Sequence, residues 1–432
     1  MIEIIHSREK GRLAGKLQRI RERNVALDAD LLSQVAAIIN DVRDRGDAAL
    51  IDYTARFDGF ALRSSDLRIS EEKLVNAASR VDREVLEALR EAIRRVRFFH
   101  EFERQHSWEV ESNGVRLGQR ITAIERAGLY VPGGTAGYPS SVVMNVVPAQ
   151  VAGVTRIVVA TPPRTLRETP AVAAALVELG VKEVYSVGGA QAIAALAFGT
   201  ETVPRVDKIT GPGNRYVAAA KKLVFGVVGI DSVAGPTEVV IVADDTANAS
   251  HLASDLLAQS EHSEDASAVL VTTSEPLASE VAAELTTQVQ ALPRAAVIGL
   301  SLDRYGAIIV VNDIEEACAL VNQLAPEHLE IVCRDEERIA SQVHDAGAIF
   351  FGGHTPEATG DYLAGPNHVL PTSGTSRFSS ALGVYDFLKR TSILSFTRDA
   401  LRLTAPMIAA LARAEGLEGH ARSALIRLEK ED

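Results

Sequence analysis

Two pairs of residues in this sequence are spaced for chemistry. The stretch Asp255-Leu-Leu-Ala-Gln259-Ser-Glu-His262 sets Gln259 and His262 three residues apart, which puts an amide oxygen and an imidazole on one helix face. Leu252, Ala253, Leu256 and Leu257 recur at helical spacing around them, so the segment reads as an amphipathic helix with His262 near its end. Such a helix could open a metal site, although an ordinary exposed face is the commoner meaning of Gln-x-x-His. The second pair lies in Ala325-Pro326-Glu327-His328-Leu329-Glu330. Proline suits the first turn of a helix, so Glu327 and His328 are expected at an element boundary. A carboxylate beside an imidazole can divide acid/base work, histidine titrating near neutrality and glutamate activating water. A surface pair capping a helix is the rival reading. Gly360-Asp361-Tyr362 by itself suggests an Asx-type turn, and His420, following Glu415 past a helix, suggests a C-terminal cap.

The elements that must carry these residues follow from pattern. Residues 1–26 read as a short strand and a basic helix. Residues 28–58 are helical, and further helices start near Ser70 and at Asp82, the last burying Val85, Leu89, Ile93 and Val96. His100 and His106 are expected to cover helix surface. Asn113-Gly114 joins two strands between Glu109 and Glu125. The loop from Leu129 to Tyr138, rich in Gly and Pro, leaves room for a ligand near backbone or simply links domains.

From Ser140 strands and helices alternate: helix 140–153, strand 156–161, helix 169–180, strand 183–187, helix 190–198, strand 206–210 and helix 214–224. The rhythm resumes with strand 238–243, helix 248–262, strand 267–273, helix 276–291, strand 307–311, helices 313–324 and 335–346, and strand 348–352. Apolar strands between helices mean parallel sheets covered on both faces. The expected fold is therefore α/β, two Rossmann-like domains facing one another, with an N-terminal helical module and a helix-rich C-terminal tail. The boundaries are 27–108 for the module, 1–26 with 109–135 and 237–381 for the first Rossmann-like domain, 136–236 for the second, and 382–432 for the tail. A long polar loop is expected from Gly353 to Arg377. Ligands in such folds bind at loops after strands. Gly188-Gly189-Ala190-Gln191 and Gly211-Pro212-Gly213-Asn214 could each bring a helix N-terminus to phosphate, though neither is a full G-x-G-x-x-G.

The 432 residues are enough for two to four domains. A formal charge of −12 without basic blocks argues against a nucleic-acid partner. No apolar run approaches a membrane span, no secretory leader is visible, and the cysteines are only Cys318 and Cys333. Together these point to a cytoplasmic protein in a reducing compartment.

The segments together resemble the histidinol dehydrogenase family over essentially the whole chain. The resemblance rests on Tyr130-Val-Pro-Gly-Gly134, Val187-Gly-Gly-Ala-Gln-Ala-Ile-Ala-Ala195, Lys208-Ile-Thr-Gly-Pro-Gly-Asn214 and Ala234-Gly-Pro-Thr-Glu238. The Gln259–His262 helix, Ala325-Pro-Glu-His-Leu329, Gly360-Asp-Tyr362 and Asn367-His-Val-Leu-Pro-Thr372 complete it. It implies a zinc-dependent, four-electron oxidation of L-histidinol to L-histidine through the aldehyde with two NAD+, the last step of histidine biosynthesis. Implied zinc ligands are Gln259, His262, Asp361 and His420, one ion per subunit. His328 is implied as the base of both oxidations and Glu327 as the group activating water. Tyr130, Gln191 and Asn214 would contact NAD. Thr237, His368 and Glu415 would contact substrate, together with His328 and the ligands. A homodimer with shared active sites is implied, Glu415 and His420 coming from the partner. Two positions depart from the family pattern: Thr237 stands where Ser is frequent, and Ser373 where Gly is common. A paralogous dehydrogenase of another small alcohol, a zinc hydrolase using Glu327 and His328, and a silent nucleotide-binding protein are the competing readings.

Overall fold

The computed structural model describes residues 2–23, 28–133 and 137–429. Gly134, Thr135 and Ala136 of the Gly/Pro loop, and the expected domain joints at 26–27 and 135–136, lie outside the described residues. The chain forms two compact units, residues 1–103 with 125–387, and residues 104–124 with 388–432.

The larger unit holds two parallel sheets. The six-stranded sheet runs β1 (Glu3–His6), β11 (Ala307–Val310), β10 (Ser267–Thr272), β9 (Glu238–Ala243), β12 (His328–Val332) and β13 (Ala348–Phe351). The five-stranded sheet runs β6 (Glu183–Ser186), β5 (Arg156–Thr161), β4 (Arg126–Tyr130), β7 (Lys208–Thr210) and β8 (Gly229–Ile230). With the edge strand β1 set aside, each sheet has the order 3-2-1-4-5 in its own chain sequence. That is the doubly wound arrangement, with a crevice where the strand order reverses. The expected α/β fold with two Rossmann-like sheets is what forms. Every residue of β9 and β10 is buried, as strands covered on both faces require.

The N-terminal helices do not stand alone. Helix Ala29–Arg45, capped by Asp28 accepting from the Leu31 amide at 2.7 Å, lays Leu31, Val35, Ile38, Ile39 and Val42 into one core with Ile193, Leu196 and Val217 of the five-stranded sheet's helices. Gly46, at φ +55°, separates it from helix Asp47–Asp58.

The smaller unit is an antiparallel sheet, β14 (Leu388–Phe396), β3 (Val115–Ala123) and β2 (Trp108–Ser112), followed by helices Arg398–Ala414 and Glu418–Leu425. Asn113 and Gly114 make the expected hairpin, both with positive φ (50° and 74°).

Several expectations are corrected. The segment 109–135 does not join the six-stranded sheet: β2 and β3 pair with β14, and β4 pairs with β5 and β7. Strand β14 was hidden in a stretch expected to be helical, because it is exposed at almost every position and so shows no apolar alternation. The 335–346 helix is only Glu336–Ala340, and helix Ala295–Tyr305 was not anticipated. His100 is fully buried, its Nδ1 2.7 Å from Glu103 Oε2. Pro326 starts no helix: helix Ile314–Leu324 ends at Ala325 in the left-handed conformation (φ 50°), and the chain turns directly into β12. The loop after Gly353 contains helix Glu357–Tyr362. Among the described residues, no helix is long and apolar enough to cross a membrane.

The crevice of the five-stranded sheet is set by Gly211, just past β7. Its φ is +113°, and a Cβ there would lie 2.1 Å from the Tyr130 carbonyl oxygen at the end of β4. Its amide donates to Asp231 Oδ2 at 2.8 Å, its carbonyl accepts from Lys221 Nζ at 3.0 Å, and Lys221 pairs with Asp231. Gly211→Ala should therefore cost on the order of 2–4 kcal/mol, seen as a lower urea midpoint. An unchanged midpoint would refute the close approach.

Candidate active site

A cavity of about 590 Å³ opens between the two sheets. Its walls come from opposite strand ends. Pro132, Tyr138, Gly211, Gly213 and Asn214 follow β4 and β7, at the carboxyl edge of the five-stranded sheet. Thr237, Glu327, His328 and His262 precede or open β9, β12 and β10, at the amino edge of the six-stranded sheet. Binding at loops after strands therefore holds for the first group only.

On the amino edge, Glu327 and His328 are buried, 7% and 3% exposed. Thr237 Oγ1 donates to Glu327 Oε2 at 2.5 Å and the Glu238 amide donates to the same oxygen at 3.0 Å. Oε1 is left to other partners. Burial pushes the Glu327 carboxyl up to about 8 despite these two bonds. His328 Nδ1 lies 3.1 Å from the Glu238 carbonyl oxygen. A carbonyl can only accept, so Nδ1 carries the proton and Nε2 offers a lone pair. Nε2 is buried with no partner among the described residues. Burial lowers the His328 pKa to about 4, against the pull of Asp361. Glutamate is thus biased toward its protonated form and histidine toward its neutral form, a division of roles set by environment.

Gln259 is fully buried in the last turn of helix Ala249–Ser260, and His262 lies two residues beyond that helix. Gln259 Nε2 donates to Glu357, 2.7 Å from each carboxylate oxygen, and its carbonyl oxygen lies 2.9 Å from Thr237 Oγ1. His262, Glu357 and Asp361 each place a ligand atom within 4.8 Å of the others. Nitrogen and oxygen donors of this kind suit zinc, so the residues present fit the implied metal. His368 Nδ1 lies 3.0 Å from the Asp361 carbonyl oxygen, and burial lowers its pKa.

The implied cofactor residues are less concentrated. Asn214 lines the cavity and caps helix Arg215–Val224, its Oδ1 accepting from the Tyr216 and Val217 amides. Tyr130 is buried at the end of β4, its hydroxyl accepting from the Gly189 amide at 3.0 Å. Gln191 is buried in the first turn of helix Gly189–Phe198. Neither Tyr130 nor Gln191 lines the cavity wall. The glycines at 211 and 213 form a cradle that side chains would fill, a Cβ on Gly213 meeting Val217 at 2.4 Å, which suits close approach of a dinucleotide to backbone. Glu415 caps helix Arg398–Ala414 and His420 lies within helix Glu418–Leu425; both are exposed and belong to the smaller unit. Ser373 has φ 57°, which explains why glycine suits the position. Glu357 escaped the sequence reading. Its signal was the i, i+4 spacing from Asp361, masked because the segment looked like a loop.

An acid–base pair and a cation-ready donor set facing a glycine cradle define an α/β oxidoreductase site. The histidinol dehydrogenase family model matches residues 21–428. The histidinol dehydrogenase of Geobacillus kaustophilus is 53% identical over 398 residues, covering 92% of this chain and 93% of that protein. That of Bacillus cereus strain ATCC 14579 is 49% identical over 431 residues, covering 100% of both. A crystal structure of histidinol dehydrogenase from Elizabethkingia anophelis superposes with a TM-score of 0.89 at 36% identity, covering 93% of each chain. This chain belongs to the histidinol dehydrogenase family.

The buried acids make a pH prediction for metal-free protein. Glu330, hydrogen-bonded to Asp255 and accepting from the Glu357 amide at 2.8 Å, has a pKa raised by burial, like Glu327. A raised carboxylate keeps its proton folded but loses it unfolded, so stability falls as pH rises from about 4.5 through about 8. His328 works the other way, costing stability only as pH falls below about 6.5 toward about 4. Between pH 6.5 and 8 only the acids act. The melting temperature of chelator-treated protein should therefore drop across that window. Glu330→Gln should recover on the order of 2 kcal/mol at pH 8; an unaltered slope in that variant would contradict the assignment.

Proposed function

We propose that the protein oxidises L-histidinol to L-histidine through L-histidinal, using two NAD+ and one zinc ion per subunit, as a cytoplasmic homodimer with shared active sites. The observation that carries this reading is the buried Glu327–His328 pair, its carboxyl raised and its imidazole lowered by burial, lining one cavity with His262, Asp361 and the glycines at 211 and 213.

Zinc, when bound, supplies a Lewis acid that anchors the amino and imidazole nitrogens of the substrate, and NAD+ supplies the hydride acceptor. Gln259, His262, Asp361 and His420 hold the metal. The unpartnered Nε2 of His328 takes the alcohol proton as the carbon gives up hydride, releases it to solvent, and takes a second proton when the hydrated aldehyde is oxidised. Neutral His328 is the reactive form, and burial keeps it neutral at pH 7. Glu327, with both hydrogen-bond donors on Oε2, presents Oε1 to the water that adds to the aldehyde. It does so ionised, the form that a cation bound beside it would favour over the protonated form that burial alone favours. Thr237, His368 and Glu415 bind substrate, Glu415 being the natural partner for its ammonium group. Tyr130, Gln191 and Asn214 hold NAD at the carboxyl edge of the five-stranded sheet, where helix N-termini favour phosphate.

Leu403, Met407 and Leu411, spaced by four along helix Arg398–Ala414, are 74%, 61% and 69% exposed. An apolar stripe of this kind supports burial against a second copy, which would deliver Glu415 and His420 from the partner. The added methyl of Thr237 over serine is the one feature that favours a different small alcohol.

Purified protein with zinc, L-histidinol and NAD+ should form two NADH per histidinol, read by absorbance. Turnover of another alcohol but not histidinol would favour the paralogous reading, and no NADH with any alcohol would overturn the assignment. His262→Asn should weaken zinc binding by about tenfold or more. Glu327→Gln should slow oxidation of added aldehyde by about 10²–10⁴-fold and the alcohol step far less; equal losses would remove water activation from Glu327.

A further inference from the structure

We propose that Arg23 is a positioning residue for the oxidation, fixing the main chain of Glu238 that in turn orients both Glu327 and His328. The inference rests on the roles given to that pair above and adds a residue distant from both in sequence. Glu238, the first residue of β9, holds the pair through its backbone. Its amide donates to Glu327 Oε2 at 3.0 Å, and its carbonyl oxygen accepts from His328 Nδ1 at 3.1 Å. The first bond occupies one carboxyl oxygen and leaves the other to water. The second sets the tautomer that leaves Nε2 able to take a proton. A shift of Glu238 would misplace both groups at once, and errors of about 1 Å in such geometry can cost about 10²-fold in rate.

Arg23 directly follows helix Lys10–Glu22, and its side chain is 1% exposed. Nη1 donates to the Thr237 carbonyl oxygen at 3.0 Å. That carbonyl and the Glu238 amide belong to one peptide group, so Arg23 holds one side of the peptide whose other side holds Glu327. Nη2 pairs with Glu238 Oε2, and Oε1 of the same carboxylate accepts from the Ser373 amide at 2.9 Å. Nη1 also donates to the Asp265 carbonyl oxygen at 2.9 Å, three residues past His262, and Nε donates to that of Ile20 at 3.0 Å. Buried ion pairs seldom gain net stability over apolar side chains of the same volume, and burial raises the Glu238 carboxyl against the pull of Arg23. What a planar guanidinium supplies is fixed direction: three nitrogens, each with an acceptor, aimed at the segments that carry the acid–base pair. A cavity of about 410 Å³, lined by Arg21, Glu238, Ser373 and Arg377 among others, reaches Glu238 and shares no lining residue with the active-site cavity. A small cation can therefore enter the place of a missing Arg23 head group.

The test uses the full-length protein with zinc, L-histidinol and NAD+. Arg23→Ala should lower kcat by about tenfold or more and leave KM for NAD+ within about twofold, because the cofactor wall belongs to the other sheet. Guanidinium at low millimolar concentration should restore kcat by about fivefold or more, and methylammonium should not, since a point charge lacks the fork. A wild-type kcat in the folded variant would overturn the proposal and leave the functional reading intact. So would a fall in kcat matched by an equal rise in KM for NAD+, or a melting temperature that guanidinium restores while kcat stays low; both mark general loosening. Absence of NADH from the wild-type protein would overturn the functional reading and the proposal with it. Should Arg23→Ala not fold, Arg23→Lys, which keeps a positive charge beside Glu238, decides. A kcat lowered by about fivefold or more at unchanged KM for NAD+ supports the clamp, and a wild-type kcat excludes it.

Discussion

Buried negative charge is the constraint around which this active site is arranged. Asp255, Glu327, Glu330, Glu357 and Asp361 form a chain of interacting carboxyl groups beside β12 of the six-stranded sheet. Isolated ionised carboxylates cannot be buried at such density; they must hold protons, share hydrogen bonds or face a cation. The first two remedies are visible, and a place for the third. Asp255 and Glu330 are hydrogen-bonded to one another, and both are pushed toward their protonated forms by burial. Glu327 takes two donors on one oxygen. Glu357 accepts from Gln259, and ligand atoms of His262, Glu357 and Asp361 lie within 4.8 Å of one another, close enough to hold a cation.

The hydroxyl of Thr237 ties these remedies together. Its Oγ1 lies 2.5 Å from Glu327 Oε2 and 2.9 Å from the Gln259 amide, so a single group orients both Glu327 and Gln259. Serine would do the same, and the extra methyl leaves the two bonds in place. Because Thr237 immediately precedes β9, and Glu327 and His328 enter β12 beside it, the pair is held by backbone pairing between adjacent strands rather than by a mobile loop. Preorganisation of this kind is what acid–base chemistry needs.

Much of this was legible in the sequence, and the failures have physical causes. Apolar runs at β9 and β10 announced buried parallel strands, and Asn113-Gly114 announced its hairpin. The Gln259 helix was readable from its leucines. Strand β14 was not, since a solvent-exposed strand is specified by its pairing with β3 and not by its own composition. Pro326 misled because proline tolerates both a helix start and a strand entry; the decisive feature, Ala325 at positive φ, leaves no mark in composition. Glu357 was missed for a related reason: a six-residue helix between Gly and Pro residues has too few turns to show periodicity. The gathering of Glu327, Gln259 and Asp361 was expected only by resemblance, because contacts across a hundred residues are fixed by topology.

The use of opposite sheet edges then has an electrostatic logic. At the carboxyl edge of the five-stranded sheet, helices Gly189–Phe198 and Arg215–Val224 begin, and helix N-termini carry partial positive charge suited to phosphate. At the amino edge of the six-stranded sheet, helix Ala249–Ser260 ends just before His262, and a helix C-terminus carries partial negative charge suited to a cation. Had both sheets offered the same edge to the cavity, one of these fields would have opposed its ligand. Set as they are, a dinucleotide and a metal ion are favoured on facing walls of one cavity. Glu327 and His328 sit on the wall with the carboxylates, where burial displaces their two pKa values in opposite directions.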